Sequence, residues 1–143
     1  EVSNPKGICS FITCNASVVL QKTLVLNSHG GLIVEKDASL KCVNAKFCDM
    51  HVAAVEMKHN AVVSFHDSTI RRMGGAGIMS HQHGMPMLTI DNTEISQTAC
   101  LSHDHGAIQV SGSARRSVQP EVIVKNCNIV DNNGYGLYLS GVN

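Results

Sequence analysis

Residues 18–25 read Val-Val-Leu-Gln-Lys-Thr-Leu-Val, and their pattern decides the fold. Apolar residues stand at Val18, Leu20 and Val25, with the small residue Thr23 before the last of them. The same apolar-x-apolar-x-x-small-x-apolar string returns as Leu40, Cys42, Ala45, Phe47 and as Val63, Phe65, Ser68, Ile70. Two more copies are Leu88, Ile90, Thr93, Ile95 and Val122, Val124, Cys127, Ile129. Each copy repeats an apolar residue at every second position at its start, breaks step once, then places another apolar residue. Alternation with a period of two is a strand signal, so each copy predicts two short strands joined by a bend.

A third short strand follows each copy, usually entered through Gly or Ala. These are Gly31–Val34, Ala54–Met57, Gly77–Met79, Ala107–Val110 and Gly136–Leu139. Leu32, Val55 and Ile78 recur at equal intervals. Three short strands in every interval of about 23 residues, each with one inward stripe, describe a rung of a parallel β-helix. A single rung cannot bury its own apolar face; the core forms only when rungs stack about 4.8 Å apart. The expectation is an all-β solenoid of about five to six rungs, a single domain over residues 1–143 that reads as a piece of a larger protein. Stacking makes the core a set of ladders. Thr23, Ala45, Ser68, Thr93 and Cys127 form a small one; Leu20, Cys42, Phe65, Ile90 and Val124 form a larger one.

Composition agrees and narrows function. Eleven Lys+Arg balance eleven Asp+Glu, which argues against a nucleic-acid partner or an anionic membrane surface. Hydrophobic residues at 43% exclude general disorder, and a thin coil explains the absence of Trp. No apolar run is long enough for a transmembrane helix. The six cysteines, Cys9, Cys14, Cys42, Cys48, Cys100 and Cys127, fit neither a tight disulfide framework nor zinc spacing. They read as reduced thiols, two of them inside the core ladders.

Function in a solenoid sits where the repeat is interrupted, because insertions become surface loops. The spacing lengthens around His81–Pro86, around Thr98–His105 and around Ser111–Pro120. The first and third interruptions fall at the same corner of successive rungs. That placement groups His81, His83, Arg115 and Arg116 on one edge as candidate binding residues. Tyr138, between Leu137 and Leu139, is expected to face solvent and joins them. The His81/His83 and His103/His105 pairs invite a metal site, but they fall at opposite ends of a strand layer. A solvated His-rich face fits them better, and no metal or cofactor is expected. Glu35, Lys58 and His81 share a corner position and read as an exposed polar ladder.

Catalysis on such a scaffold requires clustered carboxylates, either to hold calcium or to flank a sugar. Asp37, Asp49, Asp67, Asp91, Asp104 and Asp131 are scattered, and no D-D or D-x-x-D pair occurs among them. Nor is there a phosphate loop, a nucleophile elbow or an H-E-x-x-H motif. The chain therefore reads as a non-enzyme, with a polysaccharide lyase or glycoside hydrolase as the alternative.

The stretch from Gly30-Gly31-Leu32-Ile33-Val34 to Asn132-Asn133-Gly134-Tyr135-Gly136-Leu137 resembles the C-terminal region of the Shc-binding protein and Nessun Dorma family. The shared features are the rung length, the Gly75-Ala76-Gly77-Ile78 strand entry and one long insertion. That insertion precedes Pro120–Val130 and the N-N-G-Y-G turn. The resemblance implies a right-handed, pectate-lyase-like β-helix with no catalytic role. It further implies a cytoplasmic, cytoskeleton-associated cytokinesis protein, found at the spindle midzone, cleavage furrow, midbody or ring canal. Its implied partner is the centralspindlin complex, and carbohydrate is a further candidate ligand.

Overall fold

The computed structural model describes residues 1, 6–81, 85–99, 106–112 and 120–141. Alternating β-branched and polar residues favour extended backbone, and the described residues form strands without a helix. The first rung holds β1 (Ile8–Ile12), β2 (Ser17–Gln21) and β3 (Leu24–Leu26). The second holds β4 (Gly30–Val34), β5 (Ser39–Val43) and β6 (Lys46–Met50). The third is β7 (Val55–Met57), β8 (Val62–His66) and β9 (Thr69–Met73). The fourth is β10 (Ile78–Ser80), β11 (Met87–Asp91) and β12 (Glu94–Thr98). The fifth is β13 (Gly106–Ser111), β14 (Glu121–Lys125) and β15 (Asn128–Val130), and β16 (Tyr135–Ser140) opens a sixth.

Each strand pairs in parallel with its counterpart one rung away, giving three sheets. The first sheet runs β1-β4-β7-β10-β13-β16, the second β2-β5-β8-β11-β14 and the third β3-β6-β9-β12-β15. The five-to-six-rung expectation is met, and the repeat register is the one the spacing predicts. Leu20 lies beside Cys42, Cys42 beside Phe65, Phe65 beside Ile90 and Ile90 beside Val124. In the third sheet Val25, Phe47, Ile70, Ile95 and Ile129 form the facing ladder. The strand the repeat did not mark is β1, whose Ile8-Cys9-Ser10-Phe11-Ile12 precedes the first copy and alternates poorly.

Inside the coil, Phe47 and Phe65 are fully buried and meet edge to face, with ring centroids 5.7 Å apart. Such a contact contributes about 0.5–1.5 kcal/mol beyond the burial of the rings. Cys42 is fully buried, and desolvation pushes its thiol up to about 12. Cys9, Cys14, Cys42, Cys48 and Cys127 are all free thiols; Cys100 lies outside the described residues.

The break in step has a single cause. Between the second and third sheets Lys22, Asn44, Asp67, Asn92 and Asn126 all have φ between 46° and 53°. One left-handed residue turns the chain sharply, and Asn and Asp tolerate that conformation best. Their side chains also link rungs: Asn92 Nδ2 donates to Asp67 Oδ1 at 2.6 Å. The small inward residue that follows closes the bend. Ser68 Oγ donates to the His66 carbonyl (2.8 Å) and accepts the Ala45 N–H (3.2 Å); Thr93 Oγ1 does the same for Asp91 and Ser68. The ladder read from the sequence as merely small is thus largely a hydroxyl ladder that satisfies buried backbone.

Small residues at the entry to the first sheet have a different cause. A Cβ on Gly31 would stand 1.9 Å from the carbonyl oxygen of Ala54 in the next rung. Backbone presses on backbone there, and only glycine fits.

Candidate functional site

The outer face of the first sheet and its corner with the second carry His81 and Tyr138, the described members of the candidate set. One register column runs Phe11, Ile33, Glu56, Met79, Gln109 and Tyr138, with Phe11 exposed, Ile33 buried and the other four half-buried. At the adjoining corner, Glu35, Lys58 and His81 each donate a backbone N–H to the rung before, at Ile12, Val34 and Met57. The polar ladder expected at that corner is therefore present, but only His81 is exposed; Glu35 and Lys58 are half-buried. It is partly neutralised within itself: Glu56 Oε1 meets Lys58 Nζ at 3.0 Å and His81 Nε2 at 2.5 Å. Thr13 Oγ1 donates to Glu35 at 3.3 Å, and Lys36 Nζ lies 3.6 Å from the same carboxylate.

His81 therefore projects at the corner, exposed, as the start of the first interruption requires. Tyr138 lies on the same face but is half-buried, where the alternation had suggested plain solvent exposure. It stacks beside Gln109 one rung back, and the exposed Tyr135 ring stands 6.3 Å away. The His81 and Tyr138 positions are two rungs and two residues apart, so their backbones are on the order of 12 Å distant. Among the described residues, Gln109 Oε1, between Met79 and Tyr138, is a buried acceptor with no hydrogen-bond donor. His83, Arg115 and Arg116 lie outside the described residues, as do His103 and His105. The chain flanking those loops does leave one corner: Ser80 Oγ accepts the Ser111 N–H at 2.9 Å, joining the strands that lead into both insertions.

A second polar column escaped the sequence reading. At the exit from the third sheet Asn27, Asp49, Arg72, Gln97 and Asp131 all have φ between 52° and 59°. Each stands two residues after an inward apolar residue (Val25, Phe47, Ile70, Ile95, Ile129), which is the signal that could have found it. Arg72 grips Asp49 with two bonds, Nε to Oδ1 at 2.5 Å and Nη2 to Oδ2 at 2.7 Å. Those hydrogen bonds, aided by the nearby guanidinium charges, hold the Asp49 carboxyl below its usual range, and the same pairing raises Arg72. Asp49, Arg72, His51, Gly74 and Gln97 line an open cleft of about 510 Å³. Among the described residues no group of three or more His, Cys, Asp or Glu side chains converges as a metal centre would need.

A family model described as a right handed beta helix region matches residues 53–143, well over half of the chain. No curated protein and no solved structure matches it.

Proposed function

Because the chain belongs to the right-handed β-helix family, we propose that it is a non-catalytic binding and scaffold module. It offers the outer face of the first sheet, with the adjoining corner, to a protein partner. The Glu56–Lys58–His81 group carries this reading. The carboxylate on that face is already held by an ammonium and an imidazole, so the face supplies matched donors and acceptors rather than a free general base. The half-buried Tyr138 and exposed Tyr135 add the amphipathic rings that recognition surfaces favour.

The resemblance to the Shc-binding protein and Nessun Dorma family supplies the setting. In it, the module belongs to a cytoplasmic, cytoskeleton-associated cytokinesis protein at the midzone, furrow, midbody or ring canal. Its partner is a centralspindlin-type complex, and no cofactor is involved.

Capture of centralspindlin by the protein tests this reading. Arg115→Glu with Arg116→Glu, and separately His81→Ala with Tyr138→Ala, should each weaken capture by about tenfold at unchanged circular dichroism. Undiminished capture by both variants overturns the assignment of the face. A glycan array run beside it would show whether carbohydrate is bound instead. Release of unsaturated or reducing ends from a polysaccharide would replace the module with a lyase or hydrolase.

A further inference from the structure

The exit from the third sheet carries two histidines that neither the polar ladder nor the proposed face uses. His29 and His51 occupy equivalent positions in adjacent rungs. The backbone holds them there: His51 N donates to Ser28 O at 3.1 Å, and Val52 N donates to His29 O at 3.0 Å. Both side chains are exposed, and their ring centroids stand 5.9 Å apart with a 37° tilt.

Metal-to-imidazole bonds are about 2.0–2.1 Å long, so two rings sharing one ion in a tetrahedral or slightly wider arrangement have centroids roughly 5–6 Å apart. The observed pair lies at that separation without any movement of the backbone. The next rung places Gly74 at this corner, and the open cleft of about 510 Å³ adjoins His51 on that side. Water could therefore fill the coordination positions that the two rings leave. Asp49 lines the same cleft, but its carboxylate is held by Arg72 and is not counted as a ligand.

We propose that His29 and His51 together form a two-imidazole site for a divalent transition-metal ion. A tetrahedral or slightly wider angle between the rings at the ion suits zinc(II) geometrically. Copper(II) and nickel(II) prefer square-planar or tetragonal sites but bind imidazole with comparable or greater intrinsic affinity, copper(II) most of all. The site stands apart from His81, whose imidazole is engaged by Glu56. It also departs from the sequence expectation, which looked for metal only at the His-x-His pairs and dismissed it there.

The test is calorimetric titration of the chain with copper(II), nickel(II) and zinc(II) salts alone. His29→Ala, His51→Ala and the double variant are compared with the wild type. All other histidines remain, so background binding is common to the four proteins. Each single variant should lose one binding event or weaken it at least about tenfold, because one imidazole alone cannot chelate. The double variant should be no weaker than either single one. Equal binding by all four proteins, or losses that simply add, would overturn the site. Urea unfolding midpoints of the metal-free variants check the fold, which these exposed substitutions should leave unchanged.

Discussion

The bend between the second and third sheets is two residues long in every rung, whereas the corner between the first and second grows from four residues to nine. Both connect strands of one coil at one pitch, so the difference lies in what each does for the core. At the bend, one left-handed residue is followed at once by a small inward side chain. In the third and fourth rungs that side chain, Ser68 or Thr93, bonds backbone of its own and the preceding rung. An added residue would move that side chain to the wrong face. The corner re-enters its register through one buried position, occupied by Ala38, Ala61, Pro86 and Pro120. Met87 N to Ala61 O and Glu121 N to Pro86 O tie that position to the rung before. What precedes it can lengthen freely. Surface variation, and with it the proposed recognition face, collects at the tolerant connection.

The strongest way to break this comparison is to insert one glycine at each place. Between Asn92 and Thr93 the insertion should cost several kcal/mol, on the order of the whole stability of a domain, and abolish cooperative unfolding. Between Arg115 and Arg116 it should cost no more than about 0.6 kcal/mol, since loop closure depends weakly on length. Urea denaturation followed by circular dichroism reads both. Similar losses at the two sites would erase the distinction.

A smaller effect should follow from Ser68→Ala, which leaves the buried Ala45 N–H without its acceptor. The expected loss is about 1–3 kcal/mol. Ser39→Ala removes an exposed hydroxyl bonded to Ser17 Oγ, and should stay within about 0.5 kcal/mol. Should the two variants unfold at the same urea concentration, the hydroxyl ladder would have no special role.

The smallest effect belongs to the exposed column at the exit from the third sheet. Arg72 lowers the Asp49 carboxyl from its ordinary value of 3.8. The stabilisation from that pairing is thus present above the ordinary value and lost as pH falls through the lowered one. Asp49→Asn should be slightly less stable than wild type near neutrality, and the gap should close in strong acid. A gap that persists or widens on acidification would show that the carboxylate charge is not its source.

The repeat was legible because stacking demands side chains of like character at fixed spacing. From Leu20 to Val124 the inward ladder could be read without coordinates. The same spacing located the tolerant corner and placed His81 on it. What stayed hidden was conformational. A left-handed Arg72 or Gln97 looks like any polar surface residue, because Arg and Gln carry no preference for that backbone. The pairing of His29 with His51 was hidden for another reason. They lie a full rung apart along the chain, off the apolar pattern, and meet only because the third-to-first corner holds register between rungs. Tyr138 was placed on the correct face, but its partial burial depends on Gln109 and Tyr135, which alternation does not reveal.

Strand pairing always joins consecutive rungs, and this has a kinetic consequence. Leu20 must find Cys42 across one of the shortest rungs, and Ile90 must find Val124 across the longest insertions. The extra loop-closure entropy for the longer search is only about 0.4 kcal/mol. Assembly therefore resembles a zipper: any rung pair can nucleate, and each later rung meets a finished template over a nearly constant search length. Lengthening the corner between the first and second sheets would scarcely slow it, so the protein's speed of folding is insulated from changes in its surface.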